Sequence, residues 1–301
     1  MSNTLVLKDL LSPRVIESLR NPVTSKAYCT MEGDFTRATG DTVAFSIFPE
    51  YEASVGGVAG SYQTPRDLVL SETSMTLDKR VWDSYRLTNW EKYLQNFDLQ
   101  AKLAAMMARG LERKQEDYIF DTMIDNAGTS INTSGSPATE TASTIYGSIL
   151  QFKEILTFKG QNTNGQGEIV VFVPSSISKI IQQSDIFDAT DSGLAGRING
   201  LIGTMLSGNI HIIVTDRMPR NDTNANGVAD ETYMLGMRRG AVSFGNGIFN
   251  MWIDKDPGAN AHIMGYESIF GVDVLGTPNT DQIVKKHVAN LTETTVFAPT
   301  L

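Results

Sequence analysis

Gly200-Leu201-Ile202-Gly203-Thr204-Met205-Leu206-Ser207-Gly208-Asn209-Ile210-His211-Ile212-Ile213-Val214-Thr215-Asp216-Arg217-Met218-Pro219 holds a glycine turn, a second glycine, an apolar run and a proline. The run Ile210 to Val214 is too short for a helix, and a continuous apolar stretch between turn signals fits a strand buried on both faces. A second such run, Ile169-Val170-Val171-Phe172-Val173, precedes it, and Pro174-Ser175 then opens a helix through Ile181. Upstream of these, Ile145 to Phe158 reads as a helix and Gln161 to Gly167 as a turn, while Asp185 to Gly203 reads as loop. Helix alternating with buried strand marks a compact α/β unit.

N-terminal to that unit the pattern differs. Gly40-Asp41 opens Thr42 to Phe48, where Val43, Phe45 and Ile47 alternate with small residues at the strand period. A second alternating stretch runs from Leu68 and Leu70, and a third from Met75 and Leu77 through Val81, Tyr85 and Leu87. Between them Glu52 to Pro65 carries Val55-Gly56-Gly57-Val58-Ala59-Gly60, so the spacing predicts a long β-excursion with too few bulky residues at its tip to form a core. From about Glu91 to Ile124, Phe97, Ala101, Ala104, Ala108, Leu111 and Tyr118 follow helical steps, with Leu103, Met107 and Ile119 widening the stripe. Asn126-Ala127-Gly128 supplies the stop.

Residues 1–40 read as an arm broken by Pro13 and Pro22, and Thr129 to Thr144 as a polar linker. Downstream, strands are expected at Tyr233 to Met237, Ala241 to Phe244, Phe249 to Ile253, His262 to Tyr266 and Phe270 to Leu275, before a charged tail. No internal repeat is visible.

Composition narrows the function. The 301 residues carry 25 Lys plus Arg against 34 Asp plus Glu, a net charge of -9, which disfavours binding that works by neutralising phosphates. A single cysteine removes any disulfide framework or cysteine-based zinc site. The start, Met1 to Val15, lacks a signal-peptide core, and no run approaches the roughly 18 apolar residues of a membrane span, so a reducing cytoplasmic origin is the expectation.

Catalytic motifs are absent: there is no phosphate loop, GxSxG elbow, HExxH or GxGxxG after a strand. His211, His262 and His287 are far apart, the first reading as a packed strand residue and the others as loop or tail positions. Asp117, Asp121 and Asp125 share one helical stripe and read as an acidic edge facing solvent or an interface, with Arg113 paired to Asp117. Asp222, Asn224, Asn226 and Asp230 place oxygen donors in a calcium-loop pattern with Gly227 at the sixth position. Tyr233 stands where a bidentate Glu belongs, with Glu231 two places early, and Asn226-Gly227 equally signals a hairpin turn. Cys29 reads as an inert small residue, Trp82, Trp90 and Trp252 as core or interface anchors, and Lys285-Lys286-His287 as a solvated tail. Arg238-Arg239 suits an intersubunit ion pair better than a nucleic-acid contact.

The order of elements resembles the major capsid protein of tailed bacteriophages, the Hong Kong 97-like fold. Gly40-Asp41-Thr42-Val43 looks like the start of the family's extended loop (E-loop), Thr76-Leu77-Asp78-Lys79-Arg80-Val81 to Asn89 like its return strand, and Asp98 to Asp125 like the spine helix. Ile169 to Pro174 with the following helix, and Gly200 to Pro219, resemble the axial domain. The resemblance implies an α+β chain divided into an N-terminal arm (1–40), an E-loop (41–90), a peripheral domain with the spine helix (91–144), an inserted α/β axial domain (145–240), and returning strands with a tail (241–301). It implies a structural protein, not an enzyme, that takes no cofactor. Hexamers and pentamers would build an icosahedral shell around double-stranded DNA without binding it specifically. The implied partners are further copies, a portal and decoration proteins, with assembly in the host cytoplasm and no membrane.

Some members cross-link through an E-loop lysine; this chain has no Lys between Lys26 and Lys79, which argues against that chemistry. With about 40 residues before the E-loop, a separate scaffolding protein is expected in place of a cleaved leading segment. Three alternatives remain at this point: an encapsulin-like nanocompartment, an enzyme with its site near Asp185 to Gly203, and a calcium-dependent tail or adhesion module built on Asp222 to Asp230.

Overall fold

The structure is a computed structural model in which residues 25–34, 42–47, 71–88, 99–159, 168–183, 201–204, 210–221, 231–256, 258, 261–274 and 280–289 are described. After a 3₁₀ turn at Ser25–Tyr28 come β1 (Thr30–Asp34), β2 (Thr42–Ile47), β3 (Ser71–Thr76) and β4 (Lys79–Thr88). The long helix α1 (Leu99–Asp125) leads to β5 (Thr129–Ser130), α2 (Ile145–Lys159), β6 (Ile169–Pro174), α3 (Ser175–Gln183), β7 (Leu201–Thr204) and β8 (Ile210–Thr215). The chain continues with β9 (Arg220–Asn221), β10 (Glu231–Arg238), β11 (Ser243–Asp256), β12 (Ala261–Asp273) and β13 (Ile283–Ala289).

β6 is buried at every position because both its faces are covered. Val170 and Phe172 face the core that holds Ile119, Phe120 and Met123 of α1. Ile169, Val171 and Val173 face the core of α2 and α3 with Phe152 and Ile177. A strand between two helical layers needs an unbroken apolar sequence, and β6 has one. The sheet around it runs β5-β13-β10-β6-β8-β7, with β9 paired to β10; β6 and β8 are parallel, β10 antiparallel to both β6 and β13.

A second sheet runs β1-β11-β12-β4, and β2 pairs with β3 as a separate antiparallel ribbon. α1 packs against this second sheet too, through Met107 and Leu111 on Met264 and Tyr266. Its buried stripe is Met107, Leu111, Ile119, Phe120 and Met123, one residue round from the expected line, since Ala108 is exposed. At 1.5 Å per residue its 27 residues reach about 40 Å, enough to underlie both sheets.

Several expectations change here. The strands read at His262 to Tyr266 and Phe270 to Leu275 are one strand, because Glu267 is met by Arg80 and Ser268 is buried instead of breaking the run. Ala241 to Phe244 and Phe249 to Ile253 likewise merge into β11, which absorbs an irregularity between Asn246 and Phe249. Leu201–Thr204, read as loop, pairs with β8. The charged tail contains β13, which pairs with β10 over its whole length. Lys79–Thr88, within the stretch Thr76 to Asn89 expected as an E-loop return strand, pairs with β12 throughout. Residues 1–24, 48–70, 91–98 and 184–200, with the arm's first part, the glycine-rich tip and the first turns of the expected helix, lie outside the described residues.

Candidate functional site

The polar segment between α1 and α2 is bound to β13 by backbone and charge together. Asn132 donates from Nδ2 to the His287 carbonyl and accepts from the His287 N–H, each at 2.7 Å. The Ala138 N–H donates to the same carbonyl at 3.0 Å, and the Ala289 N–H to Ala138 O at 2.9 Å. A buried ion pair and a buried histidine–carboxylate contact stand behind this backbone seam. Lys286 donates to Glu140 Oε1 and to Ser148 Oγ, each at 2.6 Å, and Ser148 donates to both Glu140 oxygens at 2.9 and 3.0 Å. Next to it His287 Nδ1 meets Glu231 Oε1, while the other Glu231 oxygen accepts from Ser134 Oγ at 3.1 Å. Lys286 and His287 are thus buried partners of carboxylates and not a solvated tail. The hint in the sequence is the set of apolar residues around them, Ile283, Val284 and Val288, on both faces of one strand.

α1 is tethered at its acidic stripe. Arg217, just past β8, holds Asp117 through two hydrogen bonds, with Nε at 2.8 Å, and Lys114 stands 3.6 Å away. This pairing replaces the expected partner Arg113. Burial, with Asp117 and Asp125 alongside, raises the Asp121 carboxyl above the usual carboxylate range. Lys285 donates to the Ile124 carbonyl at 2.9 Å, a cation at the negative end of the helix dipole.

The other singled-out residues are placed as follows. Asp222, Asn224, Asn226 and Asp230 lie outside the described residues. Their flanks pair antiparallel, Asn221 with Glu231 and Arg220 with Thr232, as the ends of a hairpin connection do. Both residues near the missing twelfth ligand are engaged, Tyr233 with the Asn221 side chain and Glu231 with His287. Among the described residues, no group of three or more His, Cys, Asp or Glu is placed to hold a metal. Burial pushes the Cys29 thiol up to about 12, against the opposing pull of Lys26, so it stays a neutral thiol. His211 lies 4.0 Å from Glu168 inside the larger sheet, and His262 is on β12. Arg239 pairs within the chain with Glu168 at 2.7 Å and Arg238 is buried, so neither is held out as a free intersubunit cation.

Among the described residues, the four-stranded sheet leaves large apolar side chains exposed. Trp82 is 66% exposed, Ile253 54%, Tyr85 45% and Met251 38%, all on the β4-β12-β11 sheet. Trp252 lies over Gly265, where a Cβ would come within 2.5 Å of its ring. Trp90 lies outside the described residues. Among the described residues, no helix is long and apolar enough to cross a membrane.

A family model described as phage capsid protein matches residues 93–285, more than half of the chain. No curated protein sequence matches. Among solved structures, one from Mycobacterium phage Che8 superposes with a TM-score of 0.69 at 17% identity, covering 95% of this chain and 98% of its own. The capsid of cyanophage P-SCSP1u gives 0.69 at 15% identity, covering 95% and 94%. The capsid of Ralstonia phage GP4 gives 0.62 at 12% identity, covering 97% and 100%. At these identities the likeness is one of fold.

Proposed function

The chain belongs to the phage capsid protein family and is a structural major capsid protein, and from that premise we propose that copies of it assemble as hexamers and pentamers into an icosahedral head enclosing double-stranded DNA. The observation that carries the reading is a capsid fold on which large apolar side chains, Trp82 foremost, stand in solvent. Shell subunits need wide contacts with their copies, and exposed aromatic residues are the usual anchors of such contacts.

In this reading β1 belongs to the N-terminal arm (1–40), β2, β3 and β4 to the E-loop (41–90), α1 to the peripheral domain (91–144), α2, α3 and the strands from β6 to β10 to the axial domain (145–240), and β11, β12 and β13 to the returning strands (241–301). A net charge of -9 suits enclosure of DNA without adhesion to it. The shell's partners are a separate scaffolding protein, a portal and decoration proteins, met in the host cytoplasm.

Electron microscopy of the expressed protein, alone and with the scaffold gene, tests this. Closed shells, or capsomers of several hundred kilodaltons, are expected, and deleting Glu52 to Pro65 should abolish them. A monomer under every such condition overturns the proposal. Shells that package protein in place of DNA move it to a nanocompartment.

A further inference from the structure

We propose that the Arg238 side chain, at the end of β10, forms a binding site for a small oxyanion, of which inorganic phosphate is the simplest.

The backbone fixes where its guanidinium can go. Arg238 is the last residue of β10, opposite Ile169 of β6, and its N–H donates to the Gln282 carbonyl at 3.1 Å. Its own carbonyl accepts from the Ala241 N–H, also at 3.1 Å, across a turn in which Gly240 has φ +87°. Side chains alternate along a strand. Tyr233, Leu235 and Met237 enter the core of α1, Met234 enters that of α2 and α3, and Gly236 stands against the Phe152 ring of α2. Arg238 therefore points to the α2 face, while Arg239 turns the other way and takes Glu168 at 2.7 Å. Arg238 is 8% exposed, and among the described residues its Nε, out of solvent, has no hydrogen-bond partner.

Among the described residues, that face has no carboxylate to spare. β6, α3 and β13 contain no acidic residue, and the only one on α2, Glu154, is exposed. Glu140 is held by Lys286, and Glu231 by His287. The stretches 160–167 and 275–279, which lead toward β6 and β13, have no Asp or Glu in their sequence. A second polar atom on this face is also unpartnered: Thr129 Oγ1 on β5, whose strand partner Val284 lies in the α2 core.

A buried ammonium can shed its proton, but a guanidinium does not, so burial obliges it to find an anion. Its planar fork matches two oxygens of one phosphate or carboxylate. With so little of the residue open, a free ion reaches it where a segment of another chain does not.

Thermal unfolding of the unassembled full chain in phosphate, acetate or chloride at one ionic strength tests this, together with phosphorus NMR of the phosphate. About 20 mM phosphate or acetate is expected to raise the wild-type midpoint by at least about 2 °C over chloride, and the phosphate resonance to broaden. The larger of the two responses tells phosphate from carboxylate. Arg238→Met should remove the response and, in chloride, melt no lower than wild type, because an unpaired buried charge is gone. Arg238→Lys keeps the charge without the fork, and should need at least about fivefold more phosphate for half its response. A wild-type protein that responds to neither oxyanion overturns the proposal. So does an Arg238→Met midpoint several degrees low in chloride, which would mean that the guanidinium is already paired. The same response in all three proteins marks an adventitious ion only and overturns it too. The capsid reading stands under each of these outcomes.

Discussion

Lys286 places its ammonium 2.6 Å from a Glu140 oxygen with both side chains almost fully out of solvent, 9% and 2% exposed. Removing one partner strands the other charge in a medium that cannot solvate it, so Lys286→Ala or Glu140→Ala should each cost about 3–5 kcal/mol of subunit stability. The double variant Lys286→Met with Glu140→Leu should recover most of that loss, as replacement of a whole buried pair by apolar groups usually does. Urea unfolding of unassembled protein reads both. Cys29 gives a pH signature. Its thiol is raised from about 9 to about 12, so between those values the unfolded chain has released a proton that the folded chain keeps. Stability then falls as pH rises, by up to about 1.4 kcal/mol per unit from this group, and is unaffected by it below pH 9. Cys29→Ser should flatten that part of the curve in thermal melts from pH 8 to 11. The burial of Lys286 and His287 was not legible in the sequence. Three consecutive polar side chains read as solvated whenever their acidic partners, here Glu140 and Glu231, are too distant in sequence to enter a local pattern.

Among the elements, β10 and α2 meet at a point with no spare volume. A Cβ on Gly236 would lie 2.5 Å from Phe152 Cδ1, with two more ring atoms at 3.2 Å. Gly236→Ala should therefore overpack this joint and cost about 1–3 kcal/mol, and adding Phe152→Leu should return part of it; denaturant midpoints of the three variants measure the exchange. The tether of α1 to the end of β8 is softer. Asp117 and Arg217 are partly exposed, 24% and 30%, so after screening Arg217→Ala should cost only about 1 kcal/mol in the same assay. Elements buried on both faces, such as β6, β8 and β10, were readable because their sequences are almost uninterrupted apolar runs. α1 was readable because its stripe repeats at helical spacing. β7 escaped notice since a four-residue strand exists only because β8 offers it an edge. β11 and β12 were each seen as two pieces because a bulge and a paired Glu267 imitate strand ends.

Among the described residues, the two larger sheets both pack on α1, with Met107 and Leu111 in one core and Ile119, Phe120 and Met123 in the other. That order of elements, more than any motif, was what the sequence shared with capsid proteins. Charge then sets how copies approach. Each carries -9, so whole subunits repel one another at long range. The screening length falls from about 10 Å at 0.1 M salt to about 3 Å at 1 M, which removes long-range repulsion while leaving apolar and backbone contacts intact. Assembly followed by light scattering should therefore start at a lower protein concentration as sodium chloride rises from about 0.05 to 0.5 M, and level off beyond. A rise in that threshold with salt would mean that opposite charges dominate the contact between copies, and that the exposed apolar side chains around Trp82 are secondary.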